Sequence, residues 1–220
     1  MFRRERPQSG RLRQFNQFGV EFFGNRNILS DLEVILLADN FLNKIGIRKR
    51  LRLEINSLGN EESRKVYIKS LKEFLNKKKK HLSEESLGRL EKNPLRILDS
   101  KNLEDLEIMK ECPKINSFFD KESLDFFDGI TKGLNKLKIN FELNSSLVRG
   151  LDYYNHTAFE YKTFEEKSQN TILAGGRYDS LINMLGGNDT TGVGWAAGIE
   201  RIVLNLVSKN KEKFTISIFS

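Results

Sequence analysis

The sequence predicts an α+β fold, a core of strands and helices interrupted by a helical insertion, and three stretches of different texture lead to that expectation. Residues 1–59 read as strands and one helix, residues 60–146 as lysine-rich helical patterns without a glycine-rich loop, and residues 147–208 as strands and glycine-rich turns again. The stretch 209–220 reads as a linker and the beginning of a further strand. A length of 220 residues suits one domain, or a core with one sizeable insertion. A hydrophobic fraction of 38% is enough to pack it.

The first element is a hairpin. The segment RERPQSGRLRQFNQ, residues 4–17, crowds four arginines into its first ten positions, a repulsive arrangement unless an anion arrives. PQSG is the turn between two antiparallel strands. Side chains of the second strand then alternate. One face carries Leu12, Gln14, Asn16, Phe18, Val20 and Phe22; the other carries Arg11, Arg13, Phe15, Gln17, Gly19, Glu21 and Phe23. The second face suits a ligand better than a core. Arginine forks onto phosphate oxygens, phenylalanine offers a flat surface to a base, and glycine leaves room for close approach. Gln17 and Glu21 suit an ammonium or an imidazole. On the first strand, Arg3 and Glu5 share a face. An exposed, salt-bridged hairpin would account for the same charges.

The next elements follow from periodicity. RNILSDLEVILLADNFLNKIG, residues 26–46, reads as a helix with Ser30 and Asp31 near its start and Gly46 as its stop. RLRLEINSLG, 50–59, alternates as a strand. In the insertion, Tyr67, Leu71, Phe74 and Leu75 form one helical stripe, and Leu124, Phe127, Leu134 and Leu137 a looser one. KKKK, 77–80, reads as a solvated helix end, with an RNA contact as the alternative. Further on, HTAFEYKTF alternates, AGGRYDSLINMLGG is a turn then a helix, and GVGWAAGIERIVLNLV is a small-residue strand feeding a helix. Arg201 falls in the first turns of that last helix, where the dipole disfavours a cation by about 0.3–1 kcal/mol unless an anion is held there.

Composition narrows the function. A net charge of +7 fits an anionic partner such as a nucleotide or RNA, though a modest excess of lysine alone would produce it. The lone cysteine, Cys112, admits no internal disulfide and suits a reducing cytosol. No apolar run approaches the roughly 18 residues of a membrane helix, and the first residues lack a signal peptide's apolar stretch. The expectation is a soluble cytoplasmic protein. His81 and His156 with one distant cysteine give no zinc spacing; His81 reads as surface, and no Walker or dinucleotide glycine motif opens a helix.

Four ordered segments carry a resemblance. RRERPQSGRLRQFNQFGVEFFG resembles motif 2 of class II aminoacyl-tRNA synthetases in the form found in histidyl-tRNA synthetases. LVRGLDYYNHTAFEY, 147–161, and AGGRYDSLINMLGG, 174–187, are similar to that family's two histidine signatures, and GVGWAAGIERIVL, 192–204, to motif 3. The resemblance spans about residues 2–208. It implies a mostly antiparallel class II sheet flanked by helices, with the helical zone as the insertion that contacts the acceptor arm of tRNA. It implies Arg3 on the α-phosphate of ATP, Glu5 and Phe15 around adenine, Arg11 and Arg13 toward the phosphates, and Arg201 on the γ-phosphate. It also implies Gln17 and Glu21 on histidine, Arg149 on both the histidine carboxylate and the α-phosphate, and Asp152, Tyr154 and Tyr178 lining the histidine pocket. Gly175 and Gly176 would admit the amino acid. Arg177 could equally be a structural ion-pair partner. Arg149 and Arg3 would be the catalytic pair, with ATP as substrate, Mg²⁺ as cofactor, and tRNA(His) and histidine as partners.

The sequence departs from the pattern too. On this likeness the chain would begin inside motif 2, without motif 1 that builds the family's homodimer and without the anticodon-binding domain. Asn16, Ser180 and Trp195 stand where the family usually has other residues. Two competing readings stay open: a histidine-binding, non-catalytic regulatory subunit of ATP phosphoribosyltransferase, and an inert or RNA-binding remnant.

Overall fold

Six strands form one sheet in the computed structural model, which describes residues 1–4, 7, 11–149, 153–164 and 170–207. In chain order the elements are β1 (Gln17–Phe23), α1 (Ile28–Lys44), β2 (Leu51–Ser57), α2 (Glu61–Lys77), α3 (Glu84–Lys92), α4 (Leu103–Lys110) and α5 (Lys121–Lys136). There follow β3 (Glu142–Leu143), β4 (Asn155–Thr163), β5 (Thr171–Arg177), α6 (Leu181–Met184), β6 (Gly192–Gly198) and α7 (Ile199–Val207). The sheet order is β1-β6-β5-β4-β2-β3; every pairing is antiparallel except the short parallel contact of β3 with β2. This is the α+β sheet with flanking helices that the sequence predicts.

The opening hairpin is present. Phe2 bridges Gln14, the Arg3 N–H donates to the Arg13 carbonyl at 2.8 Å, and the Phe15 N–H donates to the Met1 carbonyl at 3.1 Å. Most of its turn lies outside the described residues. From Gln17 onward, exposure alternates residue by residue, with Phe18, Val20 and Phe22 turned to the core. Helix α1 starts one residue after Asn27, whose side-chain oxygen accepts the Leu29 N–H at 3.0 Å. Ser30 and Asp31 are therefore buried in its first turn rather than capping it. Gly46 sits at φ 76, the left-handed geometry that ends helices.

Two cores divide the molecule. Helices α1 and α5 cover one face of the sheet, where Leu32, Ile35, Leu42, Ile130 and Leu134 meet Leu53, Ile55, Phe159 and Trp195. The looser insertion stripe is corrected here. Leu134 is buried and Phe127 half-buried as expected, but Leu124 and Leu137 are 48% and 41% exposed, and the other buried positions of α5 are Ser123 and Ile130. That helix presses one narrow side on α1, so closely that a Cβ on Gly133 would fall 2.3 Å from Leu32. The second core joins α2–α4 under the strands: Tyr67, Leu71 and Leu75 pack with Leu90, Ile97, Ile108 and Ala158. The lysine run ends α2 in solvent, where Lys78 pairs with Glu111 at 3.0 Å, and His81 is exposed.

Strand β5 holds a correction to the local reading. AGGR is not a turn but the end of that strand, and the turn follows at 178–180. The two glycines also part company. Both would crowd a backbone carbonyl of the next strand, Gly175 that of Gly194 and Gly176 that of Thr157, but the side chains met differ: a Cβ on Gly176 would meet Tyr154 at 3.1 Å, whereas one on Gly175 would meet Trp195 Cβ at 2.7 Å and Phe159 at 2.8 Å, inside the core. Only Gly176 faces the ligand side. Trp195 belongs to the core likewise; its indole N–H donates to the Val34 carbonyl at 3.0 Å.

Candidate active site

The face of the sheet turned away from α1 carries a hollow of about 200 Å³. Its floor is made of small residues, Ala174, Ala196 and Gly198, because β5 and β6 put only short side chains there. Its walls hold Arg3, Phe15 and Gln17 from the hairpin, Arg149 from the segment before β4, and Glu200 and Arg201 from the start of α7. Three arginines separated by most of the chain thus share one concavity.

Each is held differently. Arg3 donates from Nε to the Leu12 carbonyl at 2.8 Å and lies over the Phe15 ring, 4.0 Å from its centroid. Arg201 donates from Nη1 to the Thr171 carbonyl at 2.6 Å. Burial and the charges of Arg3 and Arg11 hold its pKa below the ordinary arginine value, although it stays protonated at any working pH. Arg149 donates from Nη1 to Glu160 Oε1 at 2.7 Å. Its Nε–H is buried without an acceptor among the described residues, an arrangement that costs about 1–3 kcal/mol. A crowded set of cations with a spare donor is stabilised by an incoming anion. Glu200 is engaged by the hairpin: its Oε1 accepts from the Asn16 N–H at 2.8 Å and from Asn16 Nδ2 at 3.0 Å. That bond fixes the hairpin against α7.

Beside the hollow lies an aromatic corner. Tyr178 stands edge-on to Tyr154, with centroids 6.0 Å apart, and Tyr153 lies 4.7 Å from Tyr154. Burial and the neighbouring Glu21 carboxylate push the Tyr178 phenol up. Tyr153 is pushed up to about 12 by burial and by Tyr154. The Arg149 guanidinium lies 5.3 Å from the Tyr154 ring centroid, so the same side chain borders both corner and hollow. The arrangement suits an elongated ligand with an anionic part in the hollow and a cationic or imidazole part against Glu21 and the tyrosines.

A family model described as histidyl-tRNA synthetase matches residues 1–202. The chain belongs to the histidyl-tRNA synthetase family. Curated relatives include the histidine–tRNA ligase of Rhodospirillum rubrum, 51% identical over 202 residues, which are 92% of this chain and 49% of the relative. That of Ehrlichia canis is 50% identical over 212 residues, 96% of this chain and 51% of the relative. The solved apo histidyl-tRNA synthetase of S. aureus matches with a TM-score of 0.72 at 36% identity, covering 90% of this chain and 48% of that one. An ATP phosphoribosyltransferase regulatory subunit/histidyl-tRNA synthetase from Bacillus halodurans, at 21% identity and a TM-score of 0.59, shares the fold. The chain spans about half the length of the curated relatives it matches.

In this member of the synthetase family, Arg3, Phe15, Gln17, Arg149 and Arg201 come together in the hollow. Tyr154, Tyr178 and Glu21 meet in the corner. Arg11 lies apart from the first hollow; with Arg3, Arg89, Arg96 and Lys101 it lines a larger cleft of about 760 Å³ between the sheet and the insertion. Arg13 is exposed and lines neither, because the strand is irregular before Gln17 and the alternation slips. Glu5 and Asp152 lie outside the described residues. Arg177 is the structural ion-pair partner: it is fully buried and bonds Asp31, Asp179 at 2.8 Å and the Asn25 carbonyl at 3.2 Å. Sequence reading missed Glu160, the partner of Arg149, although a charged pair, Glu160 and Lys162, alternating with Phe159 and Tyr161 in one strand was a signal that could have found it.

Proposed function

We propose that this chain carries the adenylating centre of a histidine–tRNA ligase. It would join histidine to ATP and pass the histidyl group to the terminal ribose of tRNA(His), in the cytoplasm. One observation carries the reading: Arg3, Arg149 and Arg201 converge on a single hollow that also holds Phe15 and Gln17. No helix among the described residues is long and apolar enough to cross a membrane.

In this reading the triphosphate lies among the three guanidiniums, with adenine near Phe15. Histidine occupies the corner, its imidazole and ammonium toward Tyr154, Tyr178, Glu21 and Gln17. A histidine carboxylate oxygen attacks the α-phosphorus in line. The bond from that phosphorus to the bridging oxygen breaks, and pyrophosphate leaves with the electron pair. Charge builds on the phosphoryl oxygens, so positioned cations rather than a protein nucleophile lower the barrier. Arg149 borders both corner and hollow, which suits it to bring carboxylate and phosphate together despite their like charge. No group of three His, Cys, Asp or Glu side chains that could hold a metal occurs among the described residues. Mg²⁺ fits as part of the MgATP substrate, bound through phosphate oxygens.

The test is histidine-dependent ATP–pyrophosphate exchange. Arg149→Ala should lose 10²–10³ in rate, about 3–4 kcal/mol of transition-state stabilisation. Exchange retained within about threefold would remove Arg149 from the chemistry.

A further inference from the structure

We propose that Glu160 is the positioning residue that sets the geometry of Arg149 and Arg201 across the hollow. The inference rests on the adenylation reading above and extends it to a side chain that does not line the hollow itself.

Strand β4 turns Glu160 and Lys162 to the site face, and the register sets Glu160 directly opposite Glu54 of β2. Two carboxylates facing each other across an antiparallel pair repel. Lys162 resolves the conflict: its Nζ lies 2.8 Å from Glu54 Oε2 and 3.2 Å from Glu160 Oε2. Glu54 also takes the Arg52 Nε–H at 2.8 Å and the Asn144 Nδ2–H at 2.7 Å. The charge at Glu160 is thereby fixed from behind by groups that do not reach the small hollow.

What Glu160 does with that charge is divided between its two oxygens. Oε1 accepts from Arg149 at 2.7 Å. Oε2 accepts from the Thr171 hydroxyl at 3.0 Å, and the Thr171 carbonyl in turn accepts from Arg201 at 2.6 Å. One carboxylate therefore orients one arginine directly and the other through the start of β5. The Arg149 and Glu160 side chains are only 19% and 14% exposed. A largely buried pair of this kind adds little to stability compared with apolar packing, whereas holding a guanidinium in place before the ligand arrives spares side-chain entropy on binding. The positioned arginine keeps its buried Nε–H for the ligand.

The test is a double-mutant cycle read with histidyl sulfamoyl-adenosine, a non-hydrolysable mimic of the adenylate, by calorimetry on this chain. Glu160→Gln should weaken binding about 10- to 100-fold, the scale expected when a binding group shifts by about an ångström. In an Arg149→Ala background the same change should cost less than threefold, because the group it positions is gone. Lys162→Met, which leaves Glu160 facing Glu54 without the bridging ammonium, should weaken binding in the same direction as Glu160→Gln but by less, because Arg149 keeps its partner, and this loss too should shrink below threefold in the Arg149→Ala background. Glu160→Asp keeps the charge but withdraws it by one methylene, and serves as the second variant should Glu160→Gln not fold; it should show the same non-additivity. Additive losses in the Arg149→Ala background would overturn the positioning role alone. If the unaltered folded chain does not bind the mimic, the adenylation reading fails and the role of Glu160 goes with it.

Discussion

Arg177 and Arg149 are both held by carboxylates against the same sheet, on opposite faces. Arg177 and its partner Asp31 are both 0% exposed, and every nitrogen of the guanidinium has an acceptor in Asp31, Asp179 or the Asn25 carbonyl. Arg149 is anchored at one nitrogen by Glu160 and, among the described residues, has no acceptor for its buried Nε–H. A saturated guanidinium ties α1 to the end of β5 and has nothing left to offer a ligand. A half-saturated one is oriented and still able to bind. The faces differ in the same way, one packed with Trp195, Phe159 and Tyr161, the other floored with Ala174, Ala196 and Gly198.

The largest effect expected from this contrast is on folding. Arg177→Leu leaves the buried Asp31 carboxyl without its partner, which costs about 3–5 kcal/mol, and urea unfolding should register it. Replacing Asp31 and Arg177 together by leucine and methionine should recover most of that loss. Arg149→Ala, by contrast, should spare stability and act on exchange. If the two arginines behave alike in both assays, the distinction between them is wrong.

Gly175 and Gly176 sharpen the comparison at adjacent positions. Gly175→Ala drives a methyl toward Trp195 and Phe159 and should cost about 1–3 kcal/mol of stability through overpacking. In the folded fraction it should leave binding of the adenylate mimic unaltered. Gly176→Ala puts a methyl 2.5 Å from the Thr157 carbonyl and 3.1 Å from Tyr154, so it should cost stability too and, in the folded fraction, weaken that binding more than its neighbour does. Equal binding losses would mean that both residues face the site.

The smallest effect concerns His156. It is buried at the bulge of β4, stacked 4.6 Å from Phe126, with φ 44 and with no partner for Nδ1 among the described residues. Burial and the Arg177 charge lower its pKa, while Asp179, Asp31 and Glu122 oppose them less strongly. As pH falls through about 6.5, the unfolded chain takes up this proton before the folded one. The contribution to stability is therefore full above that pH and shrinks below it. The thermal midpoint should drop between pH 7.5 and pH 5.5, and by less in His156→Asn, which tolerates the left-handed backbone. An identical drop in the variant would show that other groups set the profile.

Much of this was legible beforehand for identifiable reasons. The period of two in β1 assigned Gln17, Gly19 and Glu21 to one face and Phe18, Val20 and Phe22 to the other, and the exposure pattern agrees. Four ordered motifs pointed to the family. The glycine pair of β5 misled because two glycines in sequence carry no label for face or turn, and Leu124 and Leu137 misled because a helix buries only the side its neighbour covers.

By itself the sequence determined the motifs, the order of strands and helices along the chain, and which residues alternate together, since these depend on chemistry within a few positions. Tertiary structure alone decided which carboxylate holds which arginine. Glu160 and Arg149 are 11 residues apart, Arg201 and Thr171 are 30, and Arg177 and Asp31 are 146. Such pairs form only once strands from distant parts of the chain lie side by side, and no local preference encodes them.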